Sequence, residues 1–280
     1  MSIKIVTDST CDLPAPVVAE HGITVIPLYI NFGDQGYLDG VEISRQEFYE
    51  RMPAYDPPPT TATPGAEMFR QVYERLATEG ATQILSLHIS KSLSATVDVA
   101  RVAARETDVV PVTVLDARQL SLGTGYQAVT AAQAAAAGRS MEEILAILDE
   151  QISRTHVFAA LDTLEYLRRS GRMSRIVAAL GNFLQIKPLL HMHEGDPVAE
   201  RVRTQKSATR RLISILEELA PLEKVALVHT NAPQRAEALR KKVQHLLPQG
   251  DVPSVDVTPV LGANIGPKAV GFACIQARPA

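Results

Sequence analysis

The sequence predicts an α/β fold in two domains: an N-terminal domain over residues 1–155 with a mostly parallel sheet flanked by helices, and a C-terminal α+β domain over residues 156–280. Three observations lead there. In the first half, short apolar runs of strand length alternate with helical periodicities, the order that builds a parallel sheet covered by helices. Near His156 the pattern changes and a hairpin signature enters among the helices. At 280 residues the chain is long enough for each half to bury a core of its own.

Residues 3–7 (IKIVT) are a β-branched run, followed by the polar turn Asp8-Ser9-Thr10-Cys11-Asp12 and a helix introduced by Pro14 and closed near Gly22. Residues 23–30 (ITVIPLYI) read as one strand, with Pro27 pointing to an edge or a bulge. Residues 31–40, rich in Gly and Asp, read as a loop, and Ser44 with Glu47 as a capping box opening a helix. The stretch 53–64 (PAYDPPPTTATP) holds too many prolines for a helix or a central strand; Thr63 and Pro64 are expected to cap and start the helix over 65–78. Residues 84–89 (ILSLHI) form a strand that feeds a helix beginning at Ala95, where Ala95, Val99, Val102 and Ala103 share one face. A strand over 112–115, an Ala-rich helix over 121–137 and a second capping box at Ser140 and Glu143 complete the first half.

The second half reads as a strand over 157–161, a short helix over 163–169, a helix over 176–183, and a hairpin of 186–192 with 197–203. A helix over 208–219, a strand over 224–229, a helix over 234–247 and a strand over 254–260 follow. The loop Gly262-Ala263-Asn264-Ile265-Gly266-Pro267 then precedes a last strand over 270–275.

Composition narrows the function. A net charge of −3 gives no reason to expect nucleic acid or an anionic membrane surface as a partner, and no apolar run approaches the length of a transmembrane segment. The chain starts in a strand without a signal peptide's apolar region, so the expected compartment is the cytoplasm. Cys11 and Cys274 show no metal or disulfide spacing and read as buried thiols. Trp is absent and aromatics make up 5%, so a cavity would have aliphatic walls.

Cofactor signals are poor. The one GxGxxA match, Gly123 to Ala128, lies several residues past its strand, and P-loop, nucleophile-elbow and HExxH motifs are absent. His191 and His193 alternate on a strand and could share a metal, yet they lack a third ligand of obvious spacing and read better as solvent-facing. His88, inside an apolar strand, reads as a satisfied core histidine. Arg168, Arg169, Arg172 and Arg175, with Arg201 and Arg203 on the hairpin, form either a solvated basic face or an anion or partner site. What remains is a set of uncharged donors: Thr60, Thr61, Thr63, Ser94, Thr96 and Asn264. Such donors hold a carboxylate without burying an opposing charge, beside a cleft that takes an apolar tail. By itself Ser94 reads first as a helix cap.

These segments, in order, resemble the DegV family. The resemblance is carried by IKIVTDSTCDLP, YLDGVEISRQEFYERM, TTATPGAEMF, HISKSLSATVDVA, VLDARQLSLGTG, LEYLRRSGRMSR, FLQIKPLL, ERVRT and GANIGPKAVG, over essentially the whole chain. It implies a fatty-acid-binding carrier that performs no chemistry itself and needs no cofactor, with a long-chain fatty acid buried between or beneath the domains. Thr61 and Ser94 would contact its carboxylate, with Thr63 and Asn264 at the same site. It also implies a fatty acid kinase as partner, met through Arg172 and Arg203, for which the carrier presents the acid for phosphorylation in phospholipid metabolism. The sequence departs from the family pattern at Ala62, Thr63, Ala95, Ser170 and Asn264, where Ser, Gln, Gly, Gly and His are usual. Two other readings stay open. One is a substrate-binding subunit like that of dihydroxyacetone kinases, using His88 or His229; the other is a carrier of another anionic lipid.

Overall fold

The structure, a computed structural model, describes residues 2–172 and 187–278. In chain order, β1 (Ile3–Asp8) leads into α1 (Ala15–Glu20) and β2 (Thr24–Ile26), followed by β3 (Tyr29–Phe32), β4 (Gln35–Leu38), α2 (Arg45–Arg51) and β5 (Thr60–Ala62). Then come α3 (Ala66–Thr78), β6 (Gln83–His88), α4 (Thr96–Arg105), β7 (Val112–Asp116), α5 (Leu122–Ala136) and α6 (Met141–Arg154). The rest is β8 (Thr155–Ala160), α7 (Glu165–Arg169), β9 (Lys187–His193), β10 (Asp196–Val202), α8 (Gln205–Glu218), β11 (Leu222–His229), α9 (Pro233–Val243), β12 (Ser254–Asp256), α10 (Pro259–Ile265) and β13 (Val270–Gln276). The helix expected over 176–183, Arg175 and the first residue of the expected hairpin lie outside the described residues.

The strands form three sheets. One is parallel throughout, in the order β2-β1-β6-β7. Its chain crosses from β1 to β2 on one side and from β6 to β7 on the other, so the strand order reverses between β1 and β6. In open α/β sheets that reversal opens a crevice at the strands' carboxyl ends. The second sheet, β10-β9-β8-β13-β11-β12, is antiparallel except for the β11–β12 pair, and the β9–β10 hairpin is its edge. A small antiparallel sheet, β4-β3-β5, completes the set. The α/β class, with a parallel sheet flanked by helices and a further sheet built with hairpins, is as the sequence predicts.

Helix α5 contacts β1 and, from the second sheet, β8 and β13. One apolar cluster therefore joins Ile5, Leu85 and Leu87 to Ala128, Ala131, Ile144 and Leu148, and those to Val157, Met192, Val228 and Ala273. The Gly123 and Gly125 of the GxGxxA match are packing positions on this helix: a Cβ on Gly125 would sit 2.5 Å from the Cys11 carbonyl, and one on Gly123 2.8 Å from Val157.

Four local expectations change. The single strand over 23–30 is two strands in different sheets, because Pro27 cannot continue a ladder. The loop over 31–40 holds β4, which turns back on β3 at Gly33 with φ 60°. The Pro-rich stretch supplies β5 as an edge strand, and α3 is capped at Gly65 instead of Thr63. The expected loop over 262–267 and the end of the strand over 254–260 are replaced by α10, which Pro259 starts, its fixed φ suiting a first helical turn. The Ser140–Glu143 capping box is present with both bonds formed.

Candidate functional site

The parallel sheet's crevice holds the site. Beyond the carboxyl ends of β1 and β6 lies a cavity whose lining includes Thr10 from the turn after β1 and Ile89, Leu93 and Ser94 from the segment after β6. Thr61, Ala62 and Thr63 come from β5 and the residue after it, and Val260, Leu261, Asn264 and Ile265 from α10, which packs against β5. The second sheet closes the cavity with Val157, Ala159, Leu190 and Met192. The walls are mostly aliphatic, as a chain poor in aromatic residues requires, with Arg172 and His191 joining the hydroxyls and Asn264 as the polar part of the lining.

Of the sequence-predicted residues, Thr61, Thr63, Ser94, Asn264 and Arg172 all line this one cavity. Thr63 Oγ1 is 3.4 Å from Ser94 Oγ and 3.1 Å from Thr96 Oγ1, and Ser94 Oγ is 2.8 Å from Thr96 Oγ1. Ser94 is not the N-cap residue of α4, a position held by Ala95, but its hydroxyl accepts the Thr96 N–H at 3.3 Å. Thr96 is buried behind the lining, and Thr60 is exposed. Asn264 sits on a helix and not a loop, where its Nδ2 donates to the Val260 carbonyl one turn back at 2.7 Å. Arg172 Nη1 donates to the Ser170 carbonyl at 2.8 Å. Arg203 is exposed just past β10 and is not among the lining residues. Arg168 and Arg169 are exposed and pair with Glu165 on α7, whose Leu167 is buried and lines the cavity. Ser90 and Ser92 bond to each other at 2.9 Å within their turn.

Three buried carboxylates, which sequence reasoning passed over, hold this region in shape. Asp8 accepts from Thr10 N, Thr10 Oγ1 and Ile89 N, and lies 3.0 Å from His88 Nδ1. Burial alone would raise its pKa, but His88 and the other donors hold it below the usual carboxylate range. Asp12 accepts from Ser121 Oγ and Thr258 N, with Arg45 3.5 Å away; burial outweighs these partners and pushes its pKa up to about 6. Asp39 takes the Thr258 hydroxyl, and burial raises it too. Thr258 immediately precedes α10, so Asp12 and Asp39 fix the start of the helix that carries Asn264. The signal available in the sequence was the pair of acids in the turn Asp8-Ser9-Thr10-Cys11-Asp12 at a strand's carboxyl end.

The histidines divide. His88 is fully buried, with Asp8 on Nδ1 and Ser86 Oγ 2.7 Å from Nε2, and is the satisfied core residue expected. Neither it nor His229 lines the cavity. His191 and His193 are half-buried instead of solvent-facing: they pack on His156, whose Nδ1 is 3.1 Å from His191 Nε2 and whose ring stacks on His193 at 4.0 Å. Burial, then His193 and His191, lower the pKa of His156 to about 3. Among the described residues no group of three or more His, Cys, Asp or Glu is arranged to hold a metal, and no helix is long and apolar enough to cross a membrane. Cys11 and Cys274 are both buried free thiols, as the sequence suggested.

Fold and site together define an α/β protein with a largely apolar cavity at the switch point of a parallel sheet. The chain belongs to the DegV family: the family model described as "Uncharacterised protein, DegV family" matches residues 2–277. A DegV domain-containing protein of Streptomyces coelicolor is 38% identical over 275 residues, 96% of each chain. Among solved structures, a DegV family protein from Thermus thermophilus described for its fatty acid binding is 33% identical and superposes with a TM-score of 0.88 over 99% of this chain and 100% of that one. Bacillus subtilis DegV, described as a fatty acid binding protein, is 28% identical with a TM-score of 0.90 over the same shares.

Proposed function

We propose that this protein is a carrier of a long-chain fatty acid and not an enzyme. The acyl chain occupies the aliphatic cavity, and its carboxylate is held by the hydroxyls of Thr61 and Ser94, with Thr63 and Asn264 beside them. The observation that carries this reading is that these four polar side chains, from three separate segments, open on one cavity whose other walls are mostly Leu, Ile, Val, Ala and Met, with Thr10, Arg172, His191 and Pro197 among them. Each methylene removed from water contributes about 0.8 kcal/mol, so the tail supplies most of the affinity and the head group fixes orientation. The fatty acid binding described for the Thermus thermophilus and Bacillus subtilis proteins supports it. A fatty acid kinase catalytic subunit is the partner, to which the carrier presents the carboxylate; Arg172 at the cavity and the exposed Arg203 are the contacts offered to it.

Mass spectrometry of small molecules released from the denatured, purified protein tests the reading. A long-chain acyl acid is expected, reduced by about tenfold in Ser94→Ala or Thr61→Val, the scale of a hydrogen bond to a charged group. Full lipid retention in both variants, or an empty cavity with ATP-dependent turnover of a small polar substrate, would overturn it.

A further inference from the structure

Three hydroxyls meet at the polar end of the cavity, but only two of them line it. Thr63 and Ser94 are lining residues; Thr96 is fully buried behind them, 3.1 Å from Thr63 Oγ1 and 2.8 Å from Ser94 Oγ. The third side of the triangle, Thr63 to Ser94, is the longest at 3.4 Å. The two short sides make Thr63–Thr96–Ser94 the stronger chain, with Thr96 as its middle link, and the long side closes the triangle weakly.

A hydroxyl has one hydrogen and two acceptor lone pairs, so such a chain has a direction. If Thr63 donates to Thr96 and Thr96 donates to Ser94, the Ser94 hydrogen is left for the cavity. If the order is reversed, Ser94 spends its hydrogen on Thr96 and turns a lone pair towards the cavity. One contact biases the choice. The Thr96 backbone N–H, whose direction cannot reverse, already donates to Ser94 Oγ at 3.3 Å. With the Thr96 hydroxyl donating as well, both Ser94 lone pairs are engaged, and its hydrogen is left for the cavity or for the long contact to Thr63 at 3.4 Å, the weaker of the two beside an anion. An anion there selects this order, and each donation strengthens the next.

We propose that Thr96 is a positioning residue that commits Ser94 to donating, and thereby makes the site select an ionised carboxylate over a neutral head group. This rests on the fatty-acid reading above. A hydrogen bond to an ionised acceptor is roughly twice as strong as one between neutral groups, so a fixed donor favours the acid over the corresponding alcohol.

The test is the ratio of affinities for palmitate and hexadecan-1-ol, measured on delipidated full-length protein by displacement of a fluorescent fatty acid. The parent favours palmitate. Thr96→Val, which keeps the shape and removes the hydroxyl, is expected to lower the ratio about fivefold, mainly through palmitate, and Thr96→Ser is expected to restore it. A purely structural role would weaken both ligands alike and leave the ratio unchanged. Thr96→Cys, a smaller perturbation with a weakly donating thiol, is read in the same way should Thr96→Val fail to fold. A parent-like ratio in a folded Val or Cys variant overturns the role of Thr96 while the fatty-acid reading stands. A parent protein that binds neither ligand removes that reading, and this one with it.

Discussion

Ser121 Oγ donates to Asp12 Oδ2 across 2.5 Å, and both residues hold left-handed backbone angles, φ 52° at Ser121 and φ 56° at Asp12. Each of these conformations is costly for a side chain with a Cβ and persists only where the surroundings over-determine it. Here they do: Asp12 also accepts the Thr258 N–H and faces Arg45, so one carboxylate joins the turn after β1, the start of α5 and the start of α10.

That carboxylate makes stability depend on pH in an unusual direction. Burial raises the Asp12 pKa from 3.8 to about 6. A carboxyl with a raised folded-state pKa contributes stability that is present below pH 3.8 and lost as pH rises through 6. The shift corresponds to about 3 kcal/mol. Asp12→Asn, which cannot ionise, should therefore gain on the parent by about that amount between pH 4 and pH 6.5. Urea unfolding at a series of pH values reads the difference, and a constant offset between the two proteins would refute the assignment.

Asp8 predicts the opposite sign. Its pKa is held below 3.8 by His88, Thr10 and the Ile89 amide despite complete burial, so its contribution is present above pH 3.8 and lost as pH falls. Asp8→Ala leaves four buried donors without their acceptor. A loss of about 3 kcal/mol at pH 7 is expected, seen as a lower urea midpoint.

The parallel sheet was legible because strand–helix alternation is a local pattern, and the turns at its carboxyl edge announce themselves through Asp, Ser and Thr. The small third sheet was not. Its strands β4 and β5 are short, and their sequences, QGYL and TTA, carry turn-forming or neutral residues that become strands only by pairing with β3. Helix α10 was hidden for a related reason. Gly262, Asn264 and Gly266 disfavour a helix locally, and the helix stands because Asp12, Asp39 and Tyr49 bind the residues at its start. The donors Thr61, Thr63, Ser94 and Asn264 were legible as residue types on separate segments. Their meeting at one cavity depends on β5 pairing with β3 and on α10 being a helix, and neither is written in a local pattern.

Gly271 shows how closely the second sheet is drawn together. A Cβ there would fall against the Phe158 carbonyl oxygen and 2.5 Å from Ala159 Cα, backbone atoms that no rotamer change can move. Gly271→Ala should cost about 2 kcal/mol or more by forcing β13 away from β8. Because Ala159 lines the cavity, the variant should also lose ligand; a urea midpoint equal to the parent's would show that the strands can separate freely.

The length of the bound chain should be set by the second sheet's wall. Ala159 lies on β8 between Val157 and Leu161, and all three line the cavity. A larger side chain at 159 therefore projects into the space assigned to the tail. Ala159→Leu adds three carbon atoms, so it should displace about three methylenes and shift the preferred acid to a shorter chain by about that number. The polar end is untouched, so head-group selectivity should stay at the parent value. Comparing the acyl acids retained by parent and variant from the same expression host, by mass spectrometry, reads the shift directly. An unchanged chain-length distribution with undiminished retention would mean that the tail does not run along β8.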